Sequence, residues 1–279
     1  VINNQMNENI KANASYIEHH LSHLASAFYV SPFKKASIVS VDGFGDFTST
    51  MWGLGVNEKI NIDDKIIFPH SLGIFYEALT QWLGFENYGD EYKVMGLAPY
   101  GKTKYIEPLK KIIKLKENGK FELNLKFFKH HIDVNEGYSN DPSIRKKLYS
   151  KELERLIGPS RKKYQKITQK HKDIARSVQF IYEEVFFKIL NYVHKIHKCE
   201  NLCLAGGCAM NSVANGKIYE KTPFKKIYVQ SAAGDAGGAV GAAFATWHKY
   251  GGKRVYEMNH AYLGPEYSSN YIKKLIINN

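Results

Sequence analysis

An α/β fold with one mixed sheet covered by helices is what this sequence predicts, and three observations predict it. Three β-branched segments separated by turns follow one another from Ala36 to Phe68. A stripe of apolar residues at helical spacing runs through Asp173 to His197, and two strand–glycine–helix units come after it. An antiparallel meander followed by αβ units is built as one sheet with helices on its faces.

Each element has its own signal. Ala36-Ser-Ile-Val-Ser-Val41 is apolar and β-branched, and Asp42-Gly-Phe-Gly45 turns the chain into a second strand over Thr48 to Gly55. Asn57-Glu58 marks another turn before a third strand from Lys59 to Phe68. Ser71 is placed to cap a helix in which Leu72, Phe75, Leu79 and Leu83 recur at helical spacing. From Gly84 to about Ser160 the pattern is irregular and lysine-rich, which reads as a helical insertion over residues 85–165. Asp173 to His197 is a long amphipathic helix, with Ile174, Val178, Ile181, Val185, Ile189 and Val193 on one stripe. Next come a buried strand (Leu202 to Ala205), a helix (Cys208 to Glu220), a strand (Lys226 to Val229) and a small-residue helix from about Asp235.

This order is also the plan of one ribonuclease-H-like lobe, the unit that actin/Hsp70-type ATPases use twice. No internal repeat is visible, so one full lobe is expected over residues 36–262. Residues 1–35 are then the end of a first lobe, and residues 263–279 begin a linker toward a further C-terminal domain. The chain starts at Val1 rather than Met, which suggests a processed, trimmed or partial chain.

Composition narrows the function classes. At 44% hydrophobic and 24% charged, the chain is an ordinary globular sequence. It has neither the run of ~18–20 apolar residues that crosses a bilayer nor a basic-then-apolar signal peptide in its first thirty residues. No membrane association and a cytoplasmic location are expected. Cys199, Cys203 and Cys208 are odd in number and lack a second pair to complete a zinc knuckle, so buried free thiols are expected. The net charge of +12 invites a nucleic-acid partner, yet only five of the 39 basic residues are arginine: Arg145, Arg155, Arg161, Arg176 and Arg254. Arginine is the side chain that reads phosphates and bases in a bidentate way. Its scarcity argues against nucleic acid, and an anionic substrate or nucleotide is enough to use the field.

Four constellations could carry chemistry. In His19-His20-Leu-Ser-His23, residues 19 and 23 are four apart, so on a helix both imidazoles project from one face, as a divalent metal requires. The motif lacks the glutamate of HExxH, so no built-in base for peptide hydrolysis is present, and alone it fits solvated histidines as well. Asp42 ends a strand and is followed by Gly43 and Gly45; it is either a ligand with glycines that admit a phosphate, or a simple hairpin turn. Leu204-Ala-Gly206-Gly207-Cys-Ala-Met-Asn211 is a strand-to-helix junction that points N–H groups at an anion. Gly234-Asp235 opens another such junction, where an N-cap aspartate with packing glycines is the competing reading. Three glycine-rich turns at successive strand ends make a binding cleft.

Six ordered blocks make the comparison specific: His19-His-Leu-Ser-His-Leu-Ala-Ser-Ala-Phe-Tyr29, Val41-Asp-Gly-Phe-Gly45, Pro69-His-Ser-Leu-Gly-Ile-Phe-Tyr76, Glu91-Tyr-Lys-Val-Met-Gly-Leu-Ala-Pro-Tyr-Gly101, Leu204 through Gly216, and Gly234-Asp-Ala-Gly-Gly238. They resemble the successive motifs of the nodulation and antibiotic O-carbamoyltransferase family. The same core is similar to the universal tRNA threonylcarbamoyl-transfer protein and to part of the hydrogenase-maturation carbamoyltransferase.

The resemblance implies that His19, His23, Asp42 and Asp235 bind a divalent metal, iron by expectation, beside a nucleotide. It implies that carbamoyl phosphate and ATP give carbamoyl adenylate in a separate C-terminal domain, and that this core passes the carbamoyl group to the hydroxyl of a small-molecule acceptor. Gly43, Gly45, Gly206, Gly207 and Gly234 would hold the nucleotide, with Asn211 placed to hydrogen-bond it. His70 and Lys93 lie in family blocks and are the candidates for a catalytic group. The family has a whole lobe before its double-histidine motif where eighteen residues stand here, and an adenylate-forming domain beyond the position of Tyr267. The competing readings are a tRNA threonylcarbamoyl-transfer-type protein or ATPase of the same fold, and an inactive binding fragment.

Overall fold

Alternation along residues 35–45 sets the layout. Ala36, Ile38 and Ser40 project to one side of this strand and Ser37, Val39 and Val41 to the other, and all six are fully buried. A strand covered on both faces needs helices on both. The computed structural model describes residues 14–132 and 146–278. Residues 1–13 of the expected N-terminal segment, Arg145 and the middle of the expected insertion lie outside that range.

In chain order the elements are α1 (His19–Phe28), β1 (Lys35–Gly45), β2 (Thr48–Val56), β3 (Lys59–Ile67) and α2 (Leu72–Trp82). Then come α3 (Glu91–Leu97), α4 (Ile106–Lys110), β4 (Ile113–Leu115), β5 (Phe121–Leu123) and α5 (Lys151–Ile157). The last part holds α6 (Gln169–His197), β6 (Asn201–Ala205), α7 (Ser212–Asn215), α8 (Ile218–Lys221), β7 (Lys226–Val229), α9 (Gly238–Lys249) and α10 (Ser269–Ile277). The main sheet has the order β3-β2-β1-β6-β7. Its first three strands are antiparallel and its last three parallel, so the sheet is mixed and the fold is α/β.

One face carries Val39, Val41 and Trp52 against Phe75 and Leu79 of α2 and Val178, Ile181 and Val185 of α6. The other packs Ile38, Met51 and Cys203 under Leu24 and Phe28 of α1. Burying each such side chain is worth about 1.5–3 kcal/mol. Helix α9 crosses α1 at Gly241, where a Cβ would lie 1.7 Å from the carbonyl oxygen of Ser22. Only glycine allows that approach.

Three sequence expectations need correction. The segment from Cys208 to Glu220 is not one helix but a 3₁₀ turn (Gly207–Met210) followed by the single turns α7 and α8. Asn211 leaves helical geometry (ψ 86°) and caps α7 instead, its side chain accepting from Ala214 N. The insertion is not wholly helical either, since β4 and β5 form a hairpin between α4 and α5. Leu109, Ile112, Phe121, Phe128 and Leu153 from this region join the same core as α2 and α6, so it is not a separate body. The long helix starts at Gln169, earlier than its apolar stripe, because Thr168 and His171 form a capping box ahead of it. Among the described residues, no helix is long and apolar enough to cross a membrane.

Candidate metal centre

Helix α1 is held by groups outside its own ladder. Glu18 accepts from Leu21 N at 2.6 Å, and Asp46, from the β1–β2 turn, accepts from His19 N at 2.9 Å. His20 points down into the sheet and is fully buried. Its Nδ1 accepts from the Ser40 hydroxyl at 2.7 Å and its Nε2–H donates to the Thr48 carbonyl at 2.9 Å. Burial, with the neighbouring His23 second, pushes its pKa down to about 3, so the ring is a neutral anchor.

With His20 turned to the sheet, His19 and His23 reach over the end of β1. Asp42 lies on the same strand face as Ser40, two residues on, and so comes up beneath them. Its Oδ2 is 2.9 Å from His23 Nε2 and 3.4 Å from His19 Nε2, and the two imidazole nitrogens are 3.0 Å apart. Asp235, just before α9, brings Oδ1 to 3.5 Å from His19 and 3.6 Å from His23. Its side chain is 66% exposed, so it forms the open side of the site. A cavity of about 320 Å³ opens here, lined by Ile17, His19, Ser22, His23, Asp46, Asp235 and Gly238.

The other oxygen of Asp42 is occupied by backbone: Gly43 N donates to Oδ1 at 2.8 Å and Gly207 N at 3.1 Å. Burial opposes ionisation of this carboxyl, but the hydrogen bonds from His19 and His23 and the Gly43 N–H outweigh it and hold it well below the usual carboxylate range. The same Asp42 contact raises His19 against the effect of burial, with Asp235 adding to it.

This donor set fits a divalent cation. Two neutral imidazoles and two carboxylates supply four lone pairs and two negative charges. An ion about 2.0–2.2 Å from each donor spaces neighbouring donors roughly 3.0–3.5 Å apart, which brackets most of the separations above. Among the described residues, this is the group of three or more His, Cys, Asp or Glu side chains whose ligand atoms all lie within 4.8 Å of one another.

The glycines named from the sequence surround it. A Cβ on Gly45 would fall 2.0 Å from the His19 ring, and one on Gly207 2.8 Å from Asp42 Oδ1. Gly206, at φ +91°, lies against the Val41 carbonyl, and Gly234 lies beside Met210. Asn211 is buried and its carboxamide is engaged with Gln179 and Ala214 N. His70 and Lys93 are not among the converging donors. His70 Nδ1 accepts from Leu123 N at 3.1 Å, and Lys93 pairs with Asp90 at 2.6 Å.

Reading the sequence alone missed His20, Asp46 and the Gly207–Asp42 bond. For His20 a signal exists: it stands at i with Leu24 and Phe28 at i+4 and i+8, on the buried stripe of α1. The other two depend on which way a turn faces, which spacing does not encode.

Residues 1–244 match the family model described as the carbamoyltransferase N-terminus. The chain is 40% identical over 263 residues to the uncharacterized protein sll1178 of Synechocystis sp., covering 92% of this chain and 41% of that one. It is 35% identical to the nodulation protein NolNO of Sinorhizobium fredii, covering 92% of this chain and 35% of the relative. It is 33% identical to the nodulation protein NolO of Bradyrhizobium diazoefficiens, covering 94% and 44%. The chain therefore spans less than half the length of these curated relatives. Among solved structures, the crystal structure of T. kodakarensis HypF aligns with a TM-score of 0.44 at 15% identity, covering 89% of this chain and 38% of that chain. By the extent of the family match and the identity to these relatives, the chain belongs to the carbamoyltransferase N-terminus family.

Proposed function

We propose that this chain is the core of an O-carbamoyltransferase, in which His19, His23, Asp42 and Asp235 hold a divalent metal, iron by preference, beside a carbamoylated nucleotide. The carbamoyl group passes from carbamoyl adenylate, made from carbamoyl phosphate and ATP, to the hydroxyl of a small acceptor. The observation that carries the reading is the convergence of those four donors, two from α1, one near the end of β1 and one just before α9, close to the turns at Gly206-Gly207 and Gly234. Membership of the carbamoyltransferase family and identity to two nodulation proteins support it. A meander continued by two parallel αβ strands supports a ribonuclease-H-like lobe of the actin/Hsp70 type. Dependence on ATP goes with a cytoplasmic setting.

When bound, the metal supplies Lewis acidity toward a carbonyl or phosphate oxygen. The chain's own residues do the rest. Gly43 and Gly207 hold Asp42 so that Oδ2 faces the imidazoles, and His20 keeps α1 seated on the sheet. Exposed Asp235 leaves an entry side for the ligand. Asn211 serves by shaping its turn, its amide being already engaged.

The test is carbamoyl transfer from carbamoyl phosphate and ATP to a panel of hydroxylated acceptors by the full-length gene product. His23→Ala is expected to abolish transfer while ATP-dependent consumption of carbamoyl phosphate continues. Transfer that survives both this substitution and chelation overturns the reading.

A further inference from the structure

Gln179 is fully buried in the middle of α6, where an unsatisfied amide would be costly. All of its hydrogen-bonding capacity is used. Its Oε1 accepts from the Tyr76 hydroxyl at 2.8 Å and from Asn211 Nδ2 at 3.1 Å. Its Nε2 donates to Glu183 Oε1 at 3.0 Å and to Asn211 Oδ1 at 3.1 Å. Glu183 is itself bound by Lys217, whose Nζ lies 2.7 Å from each carboxylate oxygen.

This ion pair gives the network a direction. An ionised carboxylate only accepts, so the Gln179 NH₂ must face Glu183 and its carbonyl must face Tyr76. Asn211 then has one fitting orientation, and its Oδ1 also accepts from Ala214 N at 3.0 Å. Asn211 N donates to the Cys208 carbonyl at 3.1 Å, closing the 3₁₀ turn that begins at Gly207. Tyr182 Oη, one helical turn along α6, donates to that same carbonyl at 2.9 Å. Gly207 opens this turn, and its N–H points at Asp42.

We propose that Gln179 is a positioning residue for the metal centre, acting through Asn211 and the Gly207 turn to orient the Asp42 carboxylate. The inference rests on the metal-binding reading above. For stability alone, a well-packed methionine or leucine would serve as well as a buried polar chain. A fully satisfied network instead selects one arrangement of the groups it holds.

The experiment is Co²⁺ titration of the chain, reading affinity and the visible absorption bands, with thermal melting in parallel. Gln179→Met keeps volume and removes both amide functions. It is expected to weaken Co²⁺ binding about tenfold or more and to shift the bands. Leu190→Ala, fully buried on the same helix, is the stability control and is expected to lower the melting temperature without changing the affinity or bands of the folded protein. Lys217→Met, at the partly exposed end of the network, is expected to act in the same direction as Gln179→Met, and it decides the matter should Gln179→Met not fold. Unchanged affinity and bands in both network variants overturn the inference. An equal change in Leu190→Ala overturns it as well. Wild-type protein that binds no Co²⁺ overturns the metal reading itself, and this inference with it.

Discussion

Gly207 donates its backbone N–H to Asp42 Oδ1 at 3.1 Å, joining positions 165 residues apart in the chain. The Asp42 carboxylate has two oxygens, and one is held by backbone while the other faces the imidazoles. The glycine-rich turn after β6 thus fixes which oxygen of Asp42 faces the imidazoles, the arrangement that the proposed metal site needs.

Gly207→Ala tests that task directly. The new methyl would lie 2.8 Å from Asp42 Oδ1, closer than packed atoms tolerate, and must push the carboxylate or the turn aside. Metal affinity is expected to fall about 10–100-fold, as when an outer-shell partner of a ligand is lost. A competition titration against a chromophoric chelator reads it. Wild-type affinity in the variant would show that the bond does not orient the ligand.

His20→Phe should reveal the anchor beneath the centre. The phenyl ring occupies similar space but leaves the Ser40 hydroxyl and Thr48 carbonyl without their imidazole partner in a buried site. A loss of about 1–3 kcal/mol in urea unfolding is expected, chiefly from the Thr48 carbonyl, since the Ser40 hydroxyl also donates to the Met51 carbonyl at 3.4 Å. His20→Asn, able to restore one of the two bonds, should recover part of it. A His20→Phe protein as stable as wild type would mean that α1 is seated by Leu24 and Phe28 alone.

Much of the centre was legible because it follows from two periodicities. Four-residue spacing pairs His19 with His23, and two-residue alternation carries Asp42 to the face of Ser40. Asp235 joins the other three through the family resemblance and not through a periodicity, since its approach depends on how α9 crosses α1 at Gly241. The insertion was opaque for a local reason: α3, α4 and α5 are five to seven residues long, too short to establish a period. Gln179 was invisible for the opposite reason, being a polar residue inside a long apolar stripe, where only its partners reveal a role. His70 and Lys93 lie in family-like sequence blocks, and their side chains are engaged with Leu123 N and Asp90.

The positive charge is expected not to act as a nucleic-acid footprint. Several lysines are matched to nearby carboxylates, as in Lys116–Glu122, Lys120–Asp64 and Lys217–Glu183, each at 2.7 Å. Duplex DNA or tRNA should bind weakly in a filter or anisotropy assay, and binding should vanish between about 50 and 200 mM salt. Tight binding that survives that range would favour the tRNA-modification reading.

Acid should weaken the fold through His130 before it does so through carboxylates of lowered pKa such as Glu154 and Asp173. His130 packs against Phe44 and Phe68, donates through Nε2 to the Pro69 carbonyl at 2.8 Å, and faces His131 and His70. Burial lowers its pKa below the ordinary 6.5, and the Pro69 bond only partly offsets this. The sign follows from the protonation states: below 6.5 the unfolded chain takes up a proton that the folded chain resists, so stability is present above 6.5 and lost as pH falls toward the folded value. Half-buried His171 and His70 shift the same way, also by desolvation first. The carboxylates with lowered pKa, such as Glu154 and Asp173, begin to cost stability only below their ordinary values of 4.5 and 3.8. Between pH 7.5 and 5 the histidines therefore act alone among these groups. His130→Gln, which can still donate to Pro69, removes one of them. The stability difference between wild type and this variant, measured by urea unfolding across that interval, should move steadily against wild type as pH falls. A difference independent of pH would show that the His130 ring titrates alike in the folded and unfolded chains.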